Sequence, residues 1–146
     1  ISNFTSAEIK LMIHATEDTM NVLSAIKKVL QIEPEEFTAN SIKGHFGNII
    51  ILFKAILNSK RATEIAYKII DMMSNEDRFL MYNDFDLYID AKNSIYLRIS
   101  KQKLFERKVV LEQTDSLKIK LKFVRSYQSR SEIQNFRRML IDGDGD

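Results

Sequence analysis

Along the start of the chain, Ile9, Leu11, Ile13 and Ala15 fall on one parity and Glu8, Lys10, Met12 and His14 on the other. A period of two predicts a strand with one buried face. The spacing then changes: Val22, Leu23, Ile26, Val29 and Leu30 recur as one stripe of a helix, with Thr16 as its expected cap and Glu17 and Asp18 in its first turn. Pro34 stops that helix, and Phe37 to Lys43 is open to a short strand or an irregular connection. Gly44-His45-Phe46-Gly47-Asn48 is the main turn signal, with His45 and Phe46 expected partly buried. The nearly unbroken apolar run Ile49 to Leu57 follows it as a strand central in a sheet. Ser59 opens a second helix, whose apolar face is Ala62, Ile65, Ala66, Ile69, Ile70 and Met73. Ser74 to Asp77 predicts a cap for a short helix over Glu76 to Asn83.

The second half returns to strand spacing. Leu87 to Asp90 with Ile95 to Ile99, and Val109 to Gln113 with Leu117 to Val124, predict two β-hairpins, and Lys101 to Lys108 a helical turn between them. Ser131 caps a last helix that makes apolar contacts through Ile133, Phe136, Leu140 and Ile141. No internal repeat or Pro/Gly/Ser-rich linker divides the chain, so residues 1–141 read as one domain and 142–146 as an acidic Gly/Asp tail. Strands and helices mix without regular βαβ alternation. The expected class is α+β, a two-layer arrangement with a mainly antiparallel sheet and helices packed on one face.

Composition narrows the function. The 146 residues hold no Cys, which removes disulfides, thiolate metal sites and cysteine nucleophiles. The run Ile49 to Leu57, interrupted by Lys54, is far shorter than the roughly 18 residues of a membrane span. The opening Ile1-Ser2-Asn3-Phe4 lacks the basic start of a signal peptide, so a cytoplasmic protein is expected, with no membrane partner. Net charge is only +2, but it is unevenly placed. Residues 1–90 carry 9 Lys/Arg against 13 Asp/Glu, a balance of −4, whereas residues 91–141 carry 13 against 4, a balance of +9. A field of that kind favours polyanionic partners.

The sharpest chemical signal is Leu117-Lys118-Ile119-Lys120-Leu121-Lys122-Phe123. If the apolar parity faces the core, Lys118, Lys120 and Lys122 form a row of ammonium groups roughly 7 Å apart on the other face. Tyr96 and Arg98 alternate in the same way against Ile95, Leu97 and Ile99. Bases stack on Tyr and Arg while Lys neutralises phosphates. The plain structural alternative is a solvated face on which Lys discourages edge-to-edge aggregation. His14-Ala15-Thr16 has the His-x-Thr form that two-histidine phosphoesterases use twice, one His as base and one as acid on cyclic phosphates. The second copy is missing here, because His45 is followed by Phe46-Gly47, and no catalytic residue is assigned. The glycine turn lacks the Lys-Ser/Thr and following helix of a phosphate loop, and instead offers His45 and Asn48 as polar contacts. Asp84, Asp86 and Asp90 have no supporting His, and the Asp/Gly tail is too short for a calcium loop. Neither metal nor cofactor is expected.

In order along the chain, His14-Ala15-Thr16-Glu17-Asp18, Gly44-His45-Phe46-Gly47-Asn48 and Ile95-Tyr96-Leu97-Arg98-Ile99-Ser100-Lys101-Gln102 resemble the phrases of an archaeal family of predicted RNA-binding proteins. The resemblance spans residues 7–125 and departs at Ile49, where the family often has Pro. It implies association with the archaeal exosome, and a fold like the large-subunit ribosomal protein that carries the 5S RNA. The reading is a non-catalytic RNA-binding domain acting in RNA processing, degradation or ribosome-related assembly. Its contacts to single-stranded or structured RNA would be Lys118, Lys120, Lys122, Arg98, Tyr96, His45 and Asn48. The alternatives are a subunit that docks this basic face on an acidic protein and, further off, a cyclic-phosphate phosphoesterase using His14.

Overall fold

In the computed structural model, which describes residues 4–126 and 129–142, the opening alternation becomes β1 (Phe4–His14). Phe4, Ala7, Ile9, Leu11 and Ile13 point into the core. Helix α1 (Thr19–Leu30) starts later than its pattern suggests, because Asp18 rather than Thr16 is the cap and accepts from the Asn21 amide. Glu17 is therefore outside the helix and turns back to accept from the His14 amide at 2.9 Å. Gln31 in the left-handed conformation ends α1, and Pro34 instead opens a short 3-10 turn.

Strands β2 (Thr38–Lys43) and β3 (Ile49–Leu57) form a hairpin around the glycine turn. Gly44 and Asn48 close it through an amide-to-carbonyl bond of 2.6 Å, and Gly47 takes φ +83°. His45 and Phe46 are not buried as expected; Phe46 is 91 % exposed, since the turn projects past the sheet, and the His45 ring stands edge-on to it at 4.8 Å. Helices α2 (Ser59–Met72, capped by Asn58) and α3 (Asn75–Asn83, capped by Ser74) follow.

Of the two hairpins expected in the second half, the first is cut to one bridge, with the Asp90 amide donating to the Ser94 carbonyl and the Tyr96 amide to the Tyr88 carbonyl, and the second does not form. Ile89 and Leu111 each make a single bridge to β4 (Ser94–Ser100), at Ile95 and Ile99, and lie along its outer edge. The partner of β4 is β5 (Ser116–Phe123), reached through α4 (Lys101–Leu104) and a loop. The last helix, α5 (Ser129–Asp142), starts before Ser131 and takes in Asp142; residues 143–146 of the expected tail lie outside the described residues. Ile133, Phe136 and Leu140 are buried, but Ile141 is exposed. Phe136 stands edge-on to Phe4 and Phe123 with centroids 5.8 and 5.9 Å away, which seats α5 under β1 and β5.

The result is an α+β fold: one five-stranded antiparallel sheet, ordered β2-β3-β1-β5-β4, with helices against its apolar face. β1 holds the centre rather than β3. β3 is also not covered on both sides, and Ile56 is 67 % exposed. Among the described residues no helix is long and apolar enough to cross a membrane.

Candidate nucleic-acid interface

Strand parity and register decide what the uncovered face carries. On β5, Lys118, Lys120 and Lys122 share that face, as their alternation with buried Leu117, Ile119, Leu121 and Phe123 predicts. Register then brings in residues from the other strands. Lys118 lies between Arg98 of β4 and Lys10 of β1, and Lys10 faces Lys54 of β3. Four cations, Lys54, Lys10, Lys118 and Arg98, thus cross the sheet in one line, about 14 Å long at roughly 4.8 Å per strand. The neighbouring line holds Ile56, Glu8, Lys120 and Tyr96, and the next holds Ser6, Lys122 and Ser94. Glu8 is the one strand carboxylate on this face, and it lies 3.1 Å from the Lys10 ammonium and 3.9 Å from that of Lys54.

Tyr96 is 43 % exposed. Its hydroxyl donates to Asp90 at 3.0 Å, and the Lys120 ammonium sits over the ring 5.6 Å from its centre, so the ring is held by its hydroxyl and by a cation–π contact. Asp90 also accepts from the Lys92 and Ser94 amides at 2.9 Å each. The Ser94 amide first, then the Tyr96 hydroxyl and the Lys92 amide, hold its carboxyl below the usual carboxylate range against the opposing effect of burial.

His45 and Asn48 stand apart from this group. Ile49, which follows their turn, lies five positions before Lys54, roughly 17 Å along the strand from the cation line. The Asn48 side chain lies over Gly44, where an added Cβ would meet its Oδ1 at 2.4 Å. The arginines of α5 belong to the helix layer: Arg137 donates to the Tyr82 carbonyl at 3.2 and 3.0 Å and covers the Tyr82 ring.

Beyond the cation line the sheet splits. Pairing of β1 with β5 ends at Lys10 opposite Lys118, whereas pairing with β3 continues to His14 opposite Ile50. Lys101, whose side chain is 1 % exposed, fills the gap from the α4 end. Its ammonium donates to the Met12 carbonyl at 2.6 Å, to both Glu17 oxygens at 3.2 Å and to Asp115 at 2.9 Å. A cavity of about 700 Å³ opens over this junction, lined by Lys10, Met12, His14, Arg98, Gln113 and Lys118 among others. His14, Glu17 and Asp115 bring possible ligand atoms within 4.8 Å of one another. They do not suit a metal ion, because the Lys101 ammonium already occupies both carboxylates and would repel one.

Sequence reasoning missed Lys10, Lys54 and Lys101. The parity of Lys10 and the break that Lys54 makes in an apolar run were visible; which strands adjoin was not, and adjacency makes the line.

One layer of helices, one antiparallel sheet and a cationic uncovered face define an α+β protein with its polar chemistry on bare strands. The chain belongs to the family described as RNA binding, whose model matches residues 6–123. It is 30 % identical over 130 residues to "RNA-binding protein PAB1135" of Pyrococcus abyssi, covering 85 % of this chain and 84 % of that one. It is also 30 % identical over 105 residues to "Uncharacterized protein MJ0213" of Methanocaldococcus jannaschii, covering 68 % and 70 %. Protein SSO0741 of Sulfolobus solfataricus, a DUF54 protein, superposes with a TM-score of 0.76 at 23 % identity, over 94 % of this chain and 98 % of that one. The last likeness is one of fold.

Proposed function

We propose that the uncovered sheet face binds RNA through its backbone, without catalysis, with Lys54, Lys10, Lys118 and Arg98 as the central contacts. Lys120, Lys122 and Tyr96 flank them. The observation that carries this reading is the placement of the cations. Lysines that guard against aggregation belong on edge strands. Three of the four sites in the line are on β3, β1 and β5, which have a strand on either side. Family membership and the Pyrococcus abyssi relative's name favour RNA as the polyanion. His-x-Thr occurs once, at His14, since His45 is followed by Phe46-Gly47, so the two-histidine chemistry lacks its second unit. The remaining apolar residues of β3 on this face, Ile50 and Ile56, suit contact with a protein neighbour. That fits work within an RNA-processing or degrading complex, as the exosome resemblance implies.

Salt dependence of binding to a single-stranded RNA oligonucleotide tests the reading. Replacing Lys10, Lys54 and Lys118 with Ala should lower the slope of log K against log salt by about 2, at roughly 0.7 per phosphate. Replacing Lys27 and Lys28, exposed on α1 in the helix layer, should leave it nearly unchanged. Slopes that fall in proportion to charge removed in both variants would reduce the face to general electrostatics. Binding to an acidic protein that RNA cannot displace would favour docking instead.

A further inference from the structure

The cavity at the split end of the sheet carries more than charge. We propose that it takes one unpaired nucleotide of an RNA strand, with the phosphate on Lys10, Arg98 and Lys118 and the base over Met12 and Leu52. The inference rests on the reading of the sheet face as an RNA surface, and adds to it a discrete site.

Four features converge there. The volume, about 700 Å³, lies within the range of sites that enclose small ligands. The floor is apolar: Met12 and Leu52 are cross-strand partners on the uncovered face, and Met12 is 42 % exposed. Such a surface suits the flat face of a base better than it suits water. One wall is cationic, made by three residues that register places side by side. The lining also includes exposed Gln102 and Gln113, and an amide both donates and accepts, as the edge of any base requires. A base that is paired within a duplex cannot present its edge in this way, so the site selects single strands.

The site is also built in advance. Ordinarily, strands that part leave a carbonyl without a partner; here Lys101 supplies the donor to Met12 and ties Glu17 and Asp115 to the same point. Both carboxylates that line the cavity are thereby engaged by an ammonium group, which reduces their repulsion of a phosphate.

The experiment is a titration of the protein with 5′-AMP, followed by amide NMR, alongside adenosine and ribose 5-phosphate. Saturable shifts should centre on Met12, Gln102, Gln113 and Ser116. Adenosine and ribose 5-phosphate should each bind at least about tenfold more weakly, because each lacks half of the contacts. The charge-neutral variant Gln102→Ala/Gln113→Ala should lose about fivefold or more in AMP affinity. Its salt slope for oligonucleotide RNA should match the parent's, since no cation is removed. Ribose 5-phosphate binding as tightly as AMP would show an anion site only and overturn the proposal, as would parental AMP affinity in the double variant. If AMP fails to saturate while the oligonucleotide still binds through Lys10, Lys54 and Lys118, the nucleotide site falls and the RNA surface stands. If the oligonucleotide does not bind either, both readings fall.

Discussion

Replacing Lys101 with Met should destabilise the protein by about 3 kcal/mol. The methionine keeps most of the buried stem, so the loss falls on the ammonium. Three groups would lose a partner. The Met12 carbonyl, bonded at 2.6 Å where the strands part, would be left with no donor of the chain, a cost of about 1–3 kcal/mol. Glu17 is 20 % exposed and would keep a carboxylate away from most water without its cation. A fully buried pair broken in this way costs roughly 3–5 kcal/mol, and the partial exposure, with the remaining bond from the His14 amide, brings Glu17 to the order of 1 kcal/mol. Asp115 is 48 % exposed and regains hydration, so it contributes little. At about 3–4 °C per kcal/mol for a chain of this size, the melting temperature should fall by roughly 10 °C, read by circular dichroism at neutral pH. Adding Glu17→Gln and Asp115→Asn to the same variant should recover about a third of the loss, because neutral amides tolerate the missing charge. A single variant that melts within about 3 °C of the parent would refute the assignment of Lys101 as the tie between β1, α4 and β5.

Three further outcomes follow from local geometry. Tyr96→Ala should weaken single-stranded RNA binding about tenfold or more with little change in salt slope, since a stacking ring releases no counterions; an unchanged affinity with a lowered melting temperature would remove Tyr96 from the contact surface. Asp90 should titrate below the usual carboxylate range, so its loop bonds stabilise the fold above the unfolded-state value of about 3.9 and are lost as pH falls through the lower folded value. Asp90→Asn should accordingly lower the melting temperature at pH 7 and make no difference at a pH where Asp90 is protonated in the fold. Gly47→Ala should cost about 1 kcal/mol because Gly47 sits at φ +83°, and Gly44→Ala less, because the exposed Asn48 amide can swing aside; the reverse order in thermal melts would refute the argument.

What could be read from the chain divides by sequence distance. The buried parity of β1, the stripes of α1 and α2 and the alternation of β5 were legible, because each is set by neighbours two to four positions away. The hairpin expected at Val109 to Gln113 failed for the opposite reason: its apolar residues serve β4, and Leu111 pairs with Ile99 instead of turning into β5. Buried Val109 is spoken for by the core, which an alternation count cannot distinguish from a strand face. Lys101 is the clearest case. Its setting, Ser100-Lys101-Gln102-Lys103, reads as a polar surface turn, and its burial depends on a carbonyl 89 positions and a carboxylate 84 positions away. Of the proposed contacts, those on β4 and β5 were found from parity alone, whereas Lys10 and Lys54 needed the sheet order.

That order bears on why the cation line exists at all. Like charges directly opposite on neighbouring strands destabilise a sheet, and here Lys54 faces Lys10, Lys10 faces Lys118 and Lys118 faces Arg98. Glu8 relieves the first of these contacts, leaving Lys118 between two cations. A face selected only for folding and solubility would mix the signs. Lys118→Gln therefore should stabilise the free protein, by about 0.2–1 kcal/mol for each of the two like contacts removed, or roughly 1–8 °C in melting temperature. The same substitution should weaken RNA binding and lower its salt slope by about 0.7. Opposite signs of effect on stability and on affinity are what a binding site predicts, since an interaction with a ligand is being held at the expense of the unliganded fold. A fall in both stability and affinity would mean that Lys118 supports the sheet. A rise in stability with affinity and slope intact would mean that the repulsion is real but RNA lies elsewhere.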